Sequence, residues 1–355
     1  MNTERISDKQ LPGISVVIIG LNAAKYLRQS LESVLNSEYP YKKLEVIYVD
    51  SGSTDGSQDI VHMFPQVELV QLDPRNPSAA KGRNAGAYRA RYELIQFVDA
   101  DSYVHPQWLR QAVLALEDDV AAVSGRLSER HPKKNLYHRM AELEWNLWVD
   151  PSGAWTTETM DANVFGGNVM LRRSVLLAVN GYDEYLKAGE DPDLSYRIRK
   201  LGFRLLRVNR AMASHDINMN GVLQYLSRSR RSGSAYAHLA LRYWKESERF
   251  MVKRVIRIIG GVTTPIMLVV AGVLTGHTNL GLILALLIMF RLVFQVGKFS
   301  KLFRIGYLRA LEYSIYLAFS IYPQFMGVKD VLLIKIKERF RGSIDDESGY
   351  QFISV

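Results

Sequence analysis

Residues 14 to 125 alternate short apolar runs with helix-like segments, and no other feature of the chain restricts its fold as tightly. The runs ISVVIIG (Ile14–Gly20), LEVIYVD (Leu44–Asp50), VELVQL (Val67–Leu72), LIQFVD (Leu94–Asp99) and AAVSG (Ala121–Gly125) have the length and composition of strands. Between them, AKYLRQSLESVLNS (Ala24–Ser37) spaces Leu27, Leu31, Val34 and Leu35 along one helix face. SQDIVHMF, SAAKGRNAGAYRARY and PQWLRQAVLALED read as further helices. Strands that are apolar throughout are buried on both faces, which is the condition of a mostly parallel sheet covered by helices on either side. The expected fold is therefore α/β, and 48% apolar residues are ample for such a core.

In sheets of this kind ligands sit beyond the carboxyl ends of the strands. Two runs end in an acid, Asp50 and Asp99, and parallel pairing would put both on one edge. Asp99 is followed by Ala100 and Asp101. In extended chain, residues two apart face the same side, so these acids need a cation between them or else form a solvated turn. Hard divalent ions favour carboxylate oxygens, and Mg²⁺ commonly combines one or two of them with phosphate oxygens. Asp and Pro are equally good turn formers, and Pro106 is close by. Without a ligand the pair is expected to be poorly compensated and its loop loosely held.

Other polar clusters carry two readings each. The loop DSGSTDG (Asp50–Gly56) can hydrogen-bond a base or ribose, or cap the next helix through Ser53 or Asp55. Neither GxGxxG nor GxxxxGK[ST] occurs, so dinucleotide and P-loop readings lose their signatures. Lys81 and Arg83, among the small residues of KGRNAG, suit a diphosphate near a helix start or form a solvated basic face. Glu190, Asp191 and Asp193 open another expected helix. Asp191 before Pro192 has the form of an N-cap, and acids there complement the helix dipole. A carboxylate in the same place can also serve as general base on a hydroxyl. His215, after the strand-like Phe203–Val208, is either structural or a ligand.

Lys and Arg number 45 against 36 Asp and Glu, a net charge of +9 that favours anionic partners. There is no cysteine, hence no disulfide or cysteine-based zinc site. The first residues have no apolar core segment, so no signal peptide is expected. A basic stretch with interleaved aromatics runs from Arg228 to Arg257. It leads into two apolar runs, Ile258–Leu274 and Leu280–Val296, joined by TGHTN. Each is near the ~20 residues needed to cross a bilayer. Arg249, Lys253 and Arg254 precede them and Lys298, Lys301 and Arg304 follow, while the joining loop has no Lys or Arg. That is the charge pattern of a transmembrane hairpin with both ends in the cytoplasm, the alternative being a hairpin buried in a soluble core. Arg291 would then snorkel or face a partner helix. A third apolar segment, Tyr313–Val328, is expected to lie in or re-enter the interface, because spanning would carry the basic Lys335–Arg341 across. Cations that abut apolar spans point to headgroups and not to nucleic acid. The expected division is a catalytic domain over 1–225, basic amphipathic juxtamembrane helices over 226–257, the hairpin over 258–297, and the interfacial helix with a basic tail over 298–355.

Taken in order, SVVIIGLNAAKYLRQSLESVL, VIYVDSGSTDGS, AAKGRNAGAYRA, IQFVDAD, FGGNVMLRRSVLLAVNGYDE and GEDPDLSYRIRKLGF resemble family 2 inverting glycosyltransferases with a GT-A fold, over about residues 14 to 216. The basic stretch and apolar hairpin resemble membrane-attached members that make exopolysaccharides or glycosylate lipid carriers. The resemblance implies a nucleotide-sugar donor, a UDP-sugar by expectation, with Mg²⁺ or Mn²⁺ and a lipid-linked (polyprenyl) or glycan acceptor. By position it implies that Asp50 contacts the nucleotide base, with Asn22, Ser53 and Lys81 in the same site and Arg83 on the nucleotide or diphosphate. Asp99 and Asp101 would form the DxD that holds nucleotide and metal, and His215 a further metal ligand. Asp191 would be the catalytic base with Glu190 beside it, or would orient the acceptor where that is a lipid phosphate needing no strong base, and Gly166, Gly167 and Asn168 would line the sugar and acceptor side. Arg228 and Arg231 would lie near anionic headgroups or the acceptor's pyrophosphate. Two departures matter. Ser51 stands where many members carry a second Asp. The QxxRW motif of processive synthases is here QYLSRS, with Ser229 in place of Trp, which implies addition of single sugars over processive synthesis. A membrane scaffold with the fold but no activity is the non-enzymatic alternative, and the intact DAD and ED acids speak against it. Homo-oligomers are compatible with this reading.

Overall fold

Strand β1 (Ile14–Gly20) divides its side chains between two cores. Val16 and Ile18 join α1 (Ala24–Leu35), whose Leu27, Leu31 and Val34 are fully buried in the first. Val17 and Ile19 join Ala80 and Ala87 of α3 (Ala79–Arg89) in the second. Burial on both faces is why the run is apolar without alternation. These elements belong to a computed structural model that describes residues 7–146, 159–276, 279–303 and 305–342. The chain divides after Asn220 into two units.

In the first unit β3 (Val67–Gln71), β2 (Leu44–Asp50), β1 and β4 (Leu94–Asp99) lie side by side and parallel. Helix α2 (Ser57–His62) links β2 to β3, and α3 links β3 to β4. Beyond β4 the sheet becomes mixed. The four-residue β8 (Val169–Arg172) runs antiparallel to both β4 and β6 (Val120–Glu129). Strand β9 (Arg204–His215) is parallel to β6, while β5 (Ser102–Val104) and β7 (Thr159–Asp161) are antiparallel to β9. The mostly parallel expectation therefore describes the first half of the sheet. Strand β6 outruns its apolar segment because it continues over Arg126–Ser128, exposed or half-buried, to the buried Glu129. Helices α4 (Trp108–Leu114), α5 (Leu136–Asn146), α6 (Arg173–Ala178) and α7 (Glu190–Lys200) complete the unit. The strand order turns back at β1, between β2 and β4, so the carboxyl ends of these strands border a crevice suited to a ligand. Gly20 is in register with Asp50, and Ile19 with Asp99, so both acids do share that edge.

The second unit is helical: α8 (Val222–Arg242), α9 (Val252–Thr275), α10 (Asn279–Phe303) and α11 (Tyr307–Gly342). Helices α8 and α11 meet backbone to backbone. A Cβ on Gly233 would fall 2.0 Å from the Gln324 carbonyl oxygen, and one on Gly327 2.0 Å from that of Arg230. Tyr225 donates to the Tyr316 carbonyl at 2.6 Å, and Arg230 pairs with Asp330 at 2.6 Å. Val255 and Ile258 of α9 close a small core with Ala237, Val328 and Val331. Two described helices are long and apolar enough to cross a bilayer, Val252–Thr275 with mean hydropathy 2.0 and Tyr307–Glu338 with 1.3. Only 11% and 22% of their apolar windows are buried, unlike the core helix of a soluble protein. Large apolar side chains of α10, among them Leu286 and Phe290, are likewise exposed. The segment Tyr313–Val328 is the middle of the 36-residue α11, continuous through Pro323.

Helix α3 approaches β1 so closely that a Cβ at Gly86 would sit 2.2 Å from Val17 Cγ1. Gly86→Ala is expected to destabilise the first unit by about 1–3 kcal/mol through overpacking. Thermal unfolding should register this as a drop of about 2–4 °C per kcal/mol.

Candidate active site

The close packing of α3 carries the Arg83 guanidinium beneath the sheet edge, where its side chain is 4% exposed. Three carboxylates from two other elements converge on it. Asp99 at the end of β4 accepts from Nη2 at 2.9 Å. Glu190 accepts from Nη1 at 3.4 Å, and Asp191 Oδ1 stands 3.4 Å from the same nitrogen. Burial works against the charge of Arg83, but Asp191 and Asp99 outweigh it and hold the group above its usual range. The ring of Tyr182 lies 5.4 Å from the guanidinium and packs edge-on to Phe97. Asn84 fixes that ring's backbone, accepting from Tyr182 N at 2.8 Å and donating to Tyr182 O at 2.9 Å. Gly167 completes the enclosure: a Cβ there would fall 2.2 Å from Arg83 Nη2 and 2.8 Å from Asp99 Oδ2.

Glu190 and Asp191 are the first two residues of α7, where the helix dipole favours negative charge. The helix is capped by Gly189 at φ 91°, without a side-chain cap bond. Asp191 therefore does not cap, as its position before Pro192 suggested, but turns towards Arg83. Its Oδ1 is buried without a hydrogen-bond partner. Burial pushes its carboxyl up to about 7, against the pull of Arg83 and with the repulsion of Glu190 and Asp99. A carboxylate whose Oδ1 meets Arg83 as an ion pair without a hydrogen bond, and whose pKa is near neutrality, has the properties of a general base.

The two acids of DAD meet different side chains of the protein. Asp99 closes β4 and pairs with Arg83, whereas Asp101 sits in the turn before β5 and lies 3.1 Å from His215 Nε2. Arg83 thus compensates Asp99, which corrects the expectation of a poorly compensated pair for that acid, while Asp101 faces an imidazole. The turn is also braced. Asn168, 5% exposed, accepts from Asp99 N at 3.3 Å and donates to Ser102 Oγ at 3.1 Å. Asn168 thus supports the acids and does not line an open sugar pocket. Ligand atoms of Asp99, Asp101 and His215 all lie within 4.8 Å of one another. Two carboxylates and one imidazole, on an edge open to phosphate oxygens, fit Mn²⁺ or Mg²⁺. His215 reaches this position because β9 pairs it with Ser102, and Trp145 packs edge-on against its ring at 4.9 Å.

Along the same edge, Ser53 Oγ accepts from Asn22 N at 2.8 Å and Asn22 Oδ1 accepts from Thr54 N at 2.9 Å, tying the loops after β1 and β2 together. Asp50 departs from its expected contact with a base. Its carboxylate is fully buried, and Oδ2 accepts from Gly52 N, Ser53 N and Gln58 Nε2 at 3.1, 2.9 and 2.9 Å, so it shapes the loop from beneath. Lys81 directs Nζ to the Asn76 carbonyl at 3.0 Å, away from the Arg83 cluster. Gly166 is exposed, with open space around its Cα. Arg228 and Arg231 are exposed on α8, in the second unit. Tyr182 and Asn84 escaped prediction as site residues, although both lie within motifs that carried the resemblance.

Residues 15–179 match the family Glycosyl transferase family 2. The probable glycosyltransferase YdaM of Bacillus subtilis is 31% identical over 209 residues, which is 56% of this chain and 49% of YdaM. Glycosyltransferase AglE of Haloferax volcanii is 26% identical over 218 residues, 60% of this chain and 70% of AglE. The chain thus spans about half the length of YdaM. Among solved structures, the mannosyltransferase PcManGT from Pyrobaculum calidifontis, in complex with GDP-Man and Mn²⁺, is similar with a TM-score of 0.61 at 20% identity, over 90% of this chain and 88% of that one. That likeness speaks for the fold. Residues 15–179, which carry Arg83, Asp99 and Asp101 to the carboxyl edge of the sheet, are the part of the first unit that matches glycosyl transferase family 2, and the unit has a GT-A fold.

Proposed function

We propose that this chain transfers a single sugar from a nucleotide-sugar to a lipid-linked acceptor at the cytoplasmic face of a membrane, inverting the anomeric carbon. The observation that carries the reading is Asp191, whose buried Oδ1 accepts no hydrogen bond, enclosed in one cluster with Arg83 and Asp99. The acceptor hydroxyl loses its proton to Asp191 as its oxygen bonds to the anomeric carbon, and the bond from that carbon to the nucleoside diphosphate breaks on the opposite face. Arg83 holds Asp191 and Asp99 in one cluster while substrate binds. Asp99, Asp101 and His215 would hold a divalent cation, whose chemistry there is to neutralise charge on the departing diphosphate. The UDP-sugar expectation rests on the resemblance alone, since Asp50 is saturated by protein donors. A screen of UDP-sugars against GDP-sugars, scored by nucleotide release, assigns the base.

Membrane attachment is supported by α9 and α10, which carry exposed apolar side chains between basic flanks. For Tyr313–Val328 an interfacial position is supported by α8, which lies against residues 316 to 330 of α11 and bears Arg228, Arg230 and Arg231. Arginines so placed are costly in the hydrocarbon core and at home among headgroups. Single addition, as opposed to processive synthesis, is favoured by Ser229 in the position of the missing Trp.

Three outcomes check this reading. Asp191→Asn should lower turnover by about 10²–10⁴-fold while nucleotide affinity stays within roughly twofold; normal turnover would remove Asp191 from the chemistry. Below its raised value Asp191 is protonated and cannot take the hydroxyl proton, so kcat/KM should rise with pH along a limb centred near about 7. A limb near the ordinary aspartate range would contradict the assignment. Asp101→Ala should weaken Mn²⁺-dependent nucleotide binding by about 100-fold, measured by calorimetry with and without the ion.

A further inference from the structure

Beside the metal cluster the first unit opens a second cleft, and its walls are cationic. Lys25 from α1 and Arg130, Lys133 and Lys134 from the loop between β6 and α5 line an open cavity of about 700 Å³ that holds a single acid, Asp216. That acid is already engaged, accepting from Tyr26 Oη at 3.0 Å and from Asn218 N at 2.8 Å. Among the described residues, Arg130, Lys133 and Lys134 have no carboxylate partner.

The loop that carries these charges is firmly held. Arg130 N donates to the His215 carbonyl at 3.0 Å, and its guanidinium lies 3.8 Å over the ring of Tyr103. His131 N donates to Glu129 Oε1 at 2.9 Å, and buried His138 pairs with the same oxygen at 2.8 Å. Lys134 N closes a turn on the His131 carbonyl at 2.9 Å, and Asn135 Oδ1 accepts from His138 N at 3.1 Å to start α5. Like charges on a short fixed loop repel one another, and the packing of the unit has no use for the exposed side chains of Lys133 and Lys134. Charge held this way, without internal neutralisation, is poised for an anion.

The position narrows which anion. Arg130 bonds His215 and covers Tyr103, two residues beyond Asp101, so the cleft adjoins the Asp99–Asp101–His215 cluster without including those side chains. We propose that the cleft binds a phosphate or diphosphate carried by the acceptor, distinct from the diphosphate of the donor. This rests on the glycosyl-transfer reading given above. The cavity exceeds a lone phosphate and has room for the sugar or prenyl group next to it.

The test uses the full chain in detergent, saturated with nucleoside diphosphate and Mn²⁺, and titrates geranyl phosphate, glycerol 1-phosphate and uncharged geraniol. Both phosphates should bind and geraniol should not. Tighter binding of geranyl phosphate assigns a lipid carrier, and equal binding assigns the phosphate group alone. The double variant Lys133→Ser/Lys134→Ser alters exposed side chains and should fold normally. It should bind the phosphates about 100-fold more weakly, about tenfold per cation, with nucleoside diphosphate affinity within roughly twofold. Phosphates that fail to bind the wild type, or that bind the variant equally well, overturn the proposal. A parallel loss of nucleoside diphosphate affinity in the variant also overturns it, because the cations then serve the donor. Failure of the wild type to bind nucleoside diphosphate with Mn²⁺ is a separate result and would count against the glycosyl-transfer reading itself.

Discussion

One buried guanidinium holds the candidate site together. Asp99 reaches it from the end of β4, Glu190 and Asp191 from the start of α7, and Arg83 itself from α3. Without a cation at the centre, three carboxylates in so small a volume would repel and take up protons. Desolvating an arginine is unfavourable alone, and the surrounding acids offset that cost at Arg83. The arrangement also depends on residues without side chains. Gly86 lets α3 approach β1, and Gly167 leaves the space that Arg83 and Asp99 fill. The chemistry of the edge thus follows from packing beneath it.

Much of this was legible in the sequence, and the parts that were not have a common cause. Continuous apolar strands predicted burial on both faces, and Asp50 and Asp99 share an edge because parallel strands end together. The spacing of Leu27, Leu31 and Val34 located the buried face of α1. What sequence spacing cannot tell is which oxygen meets which donor. Asp50 and Asp99 end similar runs, yet one is saturated by its own loop while the other faces Arg83. Asn168 looked like a substrate contact and instead braces the turn that presents the acids. Asp191 has the local form of a cap, and only the tertiary position of Arg83 diverts it. The reversal at β8 was hidden because a four-residue strand has too little pattern to announce its direction.

The division of labour between the two units follows the same logic. The first gathers acids, one buried cation and a fixed basic loop around a sheet edge, which suits a charged donor and an anionic acceptor. The second presents helices with exposed apolar side chains and a seam where Gly233 and Gly327 bring α8 and α11 into backbone contact. Its arginines lie beside apolar helix, the pairing of charge and greasy surface that a membrane boundary accommodates.

The central claim is that Arg83 neutralises a cluster of acids, and unfolding of Arg83→Met against pH tests it most directly. With the cation gone and no metal added, the acids should have folded-state pKa values raised above the unfolded range near about 4. The folded variant then binds extra protons between that range and its raised values, so its stability deficit grows as pH rises through this window. The account predicts a loss of about 3–5 kcal/mol at pH 8, shrinking towards pH 4. A deficit that is small, or that does not change with pH, would contradict it.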